Sequence, residues 1–205
     1  MSTFRDYLNG EDDGKQISGH AVKVPLPKVS QERRYTCGAA ALRAVCEFYG
    51  VGPETEDEFV AMLGCDENYG TPPERIIECA KSLGLEASPW HKMSLMDLRR
   101  VLDLRKPVIC CLQAWGEQAD YEQLISGHYV VAIGYEADRL YFEDPLLTES
   151  RGYLTESEFY SRWHDLDGCN RLYDRFGIVV WKRDAEGKGG AGRQGLSITW
   201  ADCIR

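Results

Sequence analysis

A covalent mechanism needs a nucleophile, a base, and a group that orients the base. One stretch of this sequence offers the first of these. In Gln31-Glu32-Arg33-Arg34-Tyr35-Thr36-Cys37-Gly38-Ala39-Ala40-Ala41-Leu42 a polar loop runs into a cysteine. Cys37, Ala40, Ala41, Ala44, Val45 and Phe48 recur at helical spacing, which predicts a helix that starts at Cys37 and buries one face. Thr36 stands where an N-cap belongs, so Cys37 falls in the first turn. There the unpaired amides and the helix dipole favour the reactive thiolate. Gln31 lies early enough in the loop for its side-chain amide to reach back and donate to an oxyanion. Taken alone, the same residues also read as a buried cysteine on an alanine-rich helix.

Four histidines could supply the base: His20, His91, His128 and His164. His20 sits in a polar N-terminal arm, and His91 in a loop between a presumed strand and a capped helix. His164 is expected at a helix end, where its charge would complement the dipole. His128 opens a strand, His128 to Tyr135, followed by a turn at Glu136 to Asp138 and a second strand, Arg139 to Phe142. That strand exits through Glu143-Asp144-Pro145. If the turn is centred near Glu136 or Ala137, Asp144 shares its parity with His128, and the two side chains emerge on one face of the hairpin. Glu143 points to the other face. The plainer alternative is a strand-edge histidine and an Asp-Pro turn.

The elements that must hold these residues are legible from their punctuation. Thr55 with Glu58, Thr71 with Glu74, Ser94 with Asp97, and Thr155 with Glu158 have capping-box spacing and predict four helix starts. In the second, Pro72 takes the first helical position and Gly84 ends the helix. Val108 to Leu112 reads as a buried strand and Gly177 to Trp181 as a last one. Ala21 to Pro27 reads as an edge strand stopped by prolines. Helices come first and an antiparallel sheet second, the segregated α+β plan.

Composition bounds the function. The 205 residues carry a formal net charge of −9, which argues against a nucleic-acid partner or an anionic membrane surface. No apolar run is long enough to span a membrane, and Met1 to Lys15 has no signal-peptide core. The eight cysteines have no regular spacing and read as reduced thiols of a cytoplasmic protein; no metal site and no cofactor is expected. One domain is expected over residues 21–182, between a flexible arm (1–20) and a disordered tail (183–205), with the oligomeric state left open. Exposed acids such as Glu67, Glu117 and Asp120 read as solvated faces.

Three motifs together resemble a known family: Gln-x5-Cys-Gly-Ala-Ala at 31–40, Gly-His-Tyr-Val-Val at 127–131, and Asp-Pro at 144–145. They resemble the bacteriocin-processing cysteine peptidases, papain-like enzymes whose best-known members cut after a double-glycine leader. The resemblance runs from Val24 to Trp181 and takes in Gly70-Thr71, Lys106-Pro107-Val108-Ile109 and Gly134-Tyr135. It implies a papain-like fold, with the cysteine helix packed on an antiparallel sheet. It further implies Cys37 as nucleophile, His128 as general base and acid, Asp144 as its orienter, and Gln31 with the Cys37 amide as oxyanion donors. Two departures stand out. Members are often fused to a transporter, whereas no membrane segment is found here, and Thr36 replaces the acidic or amide residue common before the cysteine. The loops Asp66 to Thr71 and Gln113 to Trp115 precede elements flanking such a site, nominating Gly70, Thr71 and Trp115 for a peptide or protein substrate. The expected activity is peptide-bond hydrolysis through a thioester. Acyl transfer to an amine or thiol, and a non-catalytic peptide-binding module, are the alternatives.

Overall fold

The computed structural model describes residues 21–116, 118–147, 151–167 and 170–183. The expected N-terminal arm, all of the expected tail but Arg183, and Glu117 lie outside these residues.

Helix α1 (Cys37–Tyr49) is followed by α2 (Glu56–Leu63), α3 (Pro73–Ser82), β1 (Glu86–Trp90) and α4 (Leu95–Asp103). The sheet-forming half then runs β2 (Val108–Gln113), α5 (Gln118–Tyr121), β3 (Gly127–Glu136), β4 (Arg139–Glu143), β5 (Gly152–Thr155) and α6 (Glu156–Arg162). It closes with β6 (His164–Leu166), β7 (Leu172–Asp174) and β8 (Gly177–Trp181). One antiparallel sheet has the order β1-β8-β2-β3-β4-β5, and β6 pairs with β7 separately. The α+β plan therefore holds, with β1 reaching across from the helical half to pair with the last strand.

Local chemistry explains most boundaries. Complete capping boxes open α2, α4 and α6, each pairing a Ser or Thr hydroxyl with the acid three positions on. The box expected at Thr71 does not form: α3 starts at Pro73, and the Thr71 hydroxyl lies 3.1 Å from Cys65 Sγ. A proline at the helix start needs no amide partner, so nothing calls Thr71 back to cap it. Ala21 to Pro27 also departs from the strand expected there. It makes an isolated bridge, Val22 to Gly134, and Pro25 and Pro27 beyond it carry no amide to extend the pairing.

Every residue of β2 is buried, as is β3 from His128 to Gly134, so both faces of the sheet centre are covered. On α1, Gly38 to Leu42 and Ala44 to Cys46 are buried; these small side chains let the helix lie close against the sheet. Phe142 of β4 meets Phe159 of α6, which meets Trp163, at ring-centroid separations of 5.2 and 4.5 Å. No described helix is long and apolar enough to cross a membrane.

Candidate active site

The start of α1 is held by the loop before it. The Gln31 amide donates to Pro145 O (2.9 Å), and the Glu32 amide donates to the buried Glu56 carboxylate (2.9 Å). The Thr36 hydroxyl donates to Arg33 O (2.9 Å) inside the same loop. Thr36 thus occupies the N-cap position without capping the helix, contrary to the expectation from sequence. A loop turn competes for a short hydroxyl, and here the turn wins. With neither a side-chain cap nor an acid in the first turn, the N-terminal partial positive charge of α1 is left to act on the half-buried Cys37.

His128 and Asp144 are both buried and meet at 2.8 Å, His128 Nε2 to Asp144 Oδ1. How they come to share a face is a matter of register. The β3–β4 turn spans two residues, Ala137 and Asp138, with Glu136 opposite Arg139 and Tyr135 opposite Leu140. Continued unbroken, that register would place Asp144 opposite Val131, on the face away from His128. A one-residue bulge at Ile133 intervenes: Gly134 still opposes Tyr141, but Ala132 opposes Phe142 and Val131 opposes Glu143. Asp144 then falls opposite Val130, on the face of His128. The parity expected from sequence is met through a bulge and not through the position of the turn.

Cys37 lines the same cleft as His128, and its sulfur acts on the imidazole. Burial by itself would lower the imidazole pKa. The Asp144 carboxylate and the Cys37 sulfur outweigh it and raise the pKa to about 10. Asp144 Oδ1 further accepts the Leu146 amide at 2.9 Å, which fixes the carboxylate in its turn. The Trp115 indole lies over the imidazole, ring centroids 5.4 Å apart. Burial pushes the thiols of Cys46, Cys65, Cys79, Cys110 and Cys111 above their ordinary value, to about 12 for Cys46. Among the described residues, Cys37 is the thiol that faces an imidazole.

A cleft of about 440 Å³ opens over Cys37 and His128. Gly70 and Thr71 form part of its wall, together with Tyr69, which is exposed at the rim. Trp115 stands outside that lining and serves as the cover of His128. Gln31 is turned toward its own loop: Nε2 donates to Arg33 O at 2.7 Å, and Oε1 is buried without a hydrogen-bond partner. The structure thus groups Cys37, His128 and Asp144, whereas Gln31 stands outside the cleft lining, tied through its backbone to Pro145. His164 starts β6, not a helix end, and its Nε2 meets Tyr121 O at 3.0 Å. Two cleft residues escape a reading of the sequence. The Tyr129 hydroxyl donates to Thr71 O at 3.0 Å, and Asp165 lines the cleft. Tyr129 was visible beside His128 as an aromatic in a strand; Asp165 carries no local signal, because the β6 pairing alone brings it in.

An antiparallel sheet with the cysteine helix laid against it and a histidine–aspartate pair on its central hairpin has the architecture of the papain-like cysteine peptidases. Residues 23–169 match the model of the Peptidase_C39 like family, and the chain belongs to that family. Solved structures agree on the fold. The peptidase domain of Streptococcus ComA, a bi-functional ABC transporter involved in a quorum sensing pathway, superposes with a TM-score of 0.58 and 22% identity. That match covers 80% of this chain and 99% of the other. A double glycine motif protease from an AMS/PCAT transporter, in complex with its leader peptide, superposes with a TM-score of 0.56 and 17% identity, covering 82% and 97%. An uncharacterized protein of Methanothermobacter thermautotrophicus is 44% identical over 72 residues, which is 35% of this chain; the match spans about half, 49%, of that relative's length.

Proposed function

We propose that this protein is a cysteine peptidase that hydrolyses a peptide bond through a Cys37–His128–Asp144 triad. The observation that carries this reading is the buried 2.8 Å contact of His128 with Asp144, on an imidazole that shares its cleft with Cys37. The family and the peptide held by one structural neighbour support a peptide substrate.

In this reading Asp144 holds His128 as imidazolium, and the imidazolium keeps Cys37 as thiolate. The thiolate attacks the scissile carbonyl carbon, and the carbonyl oxygen takes the negative charge. The Cys37 backbone amide donates to that oxyanion, and so does the second Nε2 proton of Gln31, the first being held by Arg33 O. His128 gives its proton to the leaving amine, which departs and leaves a thioester. His128, now neutral, takes a proton from water, the hydroxide attacks the thioester, and the carboxylic acid and thiolate are restored. The Gly70–Thr71 wall and the cleft mouth hold the peptide chain, while Trp115 keeps bulk water from His128.

The test is labelling with a peptidyl acyloxymethyl ketone followed by tryptic mass mapping, alongside turnover of a peptide library. Labelling at Cys37, with turnover abolished in Cys37→Ala, is expected. Dominant labelling of another cysteine in the native protein sinks the assignment.

A further inference from the structure

Asp165 has no part in that mechanism, yet it lies in the same cleft as Cys37 and His128. Its side chain is packed so tightly on Gly127, the residue before His128, that a Cβ there would collide with the carboxylate. It is 8% exposed, and the contacts it makes inside the fold are with donors. Cys111 Sγ donates to Oδ2 (2.9 Å), Gln113 Nε2 donates to Oδ1 (2.8 Å), and the Leu166 amide adds a third bond. Three donors fit an ionised carboxylate. Among the described residues no lysine or arginine forms an ion pair with Asp165. The neighbouring Asp167, by contrast, is gripped by Arg171 through Nε (3.0 Å) and Nη2 (2.9 Å). Besides these neutral donors the His164 imidazole acts on Asp165 electrostatically, as the weakest of the influences that lower its pKa. Burial is the first cause and leaves the pKa raised, a costly state for a carboxylate without a close ion-pair partner.

We infer that Asp165 selects a lysine or arginine side chain of the substrate, close to the scissile bond. The close lysine or arginine partner that the described residues do not supply is supplied by the peptide. An ammonium or guanidinium entering the cleft past Gly127 would meet a desolvated carboxylate already fixed by three hydrogen bonds. It would form a contact there stronger than at an exposed acid of the same cleft such as Glu67. Gln113 fixes that carboxylate from behind while its Oε1 accepts the Ser126 amide (3.0 Å), so the subsite is tied to the loop that leads into His128. The inference rests on the proposed peptidase site for its location, though binding alone is enough to probe it.

The experiment measures binding by fluorescence anisotropy to the Cys37→Ala protein, which removes turnover. Capped peptides carry lysine, norleucine or glutamate, scanned through each position. At one position lysine is expected to bind about tenfold tighter than norleucine, with glutamate weakest. In Cys37→Ala/Asp165→Asn that preference should fall to about threefold or less, and in Cys37→Ala/Glu67→Gln it should persist. Absence of a lysine preference at every position overturns the inference. So does a preference that survives in a folded Asp165→Asn protein, or one lost in the Glu67→Gln protein; the last comparison stands even if Asp165→Asn fails to fold. Lysine-selective binding without cleavage by the wild-type protein would overturn the peptidase reading and leave Asp165 in its role; unselective cleavage would do the reverse.

Discussion

Gly134 lies directly beneath the carbonyl oxygen of Ala21, with no space for a side chain between them. At this point the N-terminal segment crosses the bulge of β3: the Lys23 and Val24 amides both donate to Ile133 O at 2.9 Å, and the Tyr135 amide donates to Ala21 O at 2.9 Å. The bulge that puts Asp144 on the face of His128 is thus clamped from outside by residues far away in sequence.

Replacing Gly134 by Ala is therefore expected to do more than crowd a strand. The added methyl group meets backbone, which cannot rotate away, so a loss of about 2 kcal/mol or more is expected in chemical denaturation. The N-terminal segment should also lift, seen as faster amide exchange at Lys23, Val24 and Tyr135. A variant as stable as the wild type would mean that the clamp has slack.

The Asp144–His128 pair predicts a pH profile. A base whose folded pKa is raised from 6.5 to about 10 contributes stability that is fully present below 6.5 and is lost as pH rises through about 10. In kcat/KM against pH the alkaline limb should lie near 10. Asp144→Asn should move that limb down toward the ordinary imidazole range and lower kcat by about 10²–10⁴-fold. Imidazole ¹⁵N shifts of His128 report the same titration without turnover, and an unmoved titration in Asp144→Asn would refute the assigned cause.

Glu143, on the other face of the hairpin, predicts an effect on stability. It is buried, and burial raises its carboxyl to about 7, with Arg151 Nε 3.4 Å from Oε2 opposing the shift. An acid with a raised folded pKa stabilises below its unfolded value, and that contribution fades as pH rises through the folded value. The wild type should lose stability between about pH 5 and 7, and Glu143→Gln should flatten that slope. Arg151→Ala removes the counter-charge and the guanidinium bond to Leu26 O, and should cost about 2–3 kcal/mol at pH 8. Parallel melting curves for wild type and Glu143→Gln across this range would rule the carboxyl out.

The sequence by itself determined the elements and the candidates. Periodicity and capping boxes place α1, α2, α4, α6 and the strands β2, β3 and β8 within a residue or two, because these signals are local: a hydroxyl three residues before an acid, a run of apolar side chains. Cys37, His128 and Asp144 stood out for the same reason, each lying at the end of such an element. Tertiary structure decided what those residues touch. Thr36 and Thr71 look like caps, but their hydroxyls find other partners once the chain packs. The shared face of His128 and Asp144 depends on a bulge held open by Ala21 to Val24, more than a hundred positions away from Gly134, and no local pattern encodes it. Asp165 enters the cleft through the pairing of β6 with β7, and it joins Glu56, Glu143 and Asp144 among the buried acids of the described residues only once the chain is packed. Spacing along a chain fixes which side chains one element presents; which elements meet, and so which charges lose their water, is settled by packing.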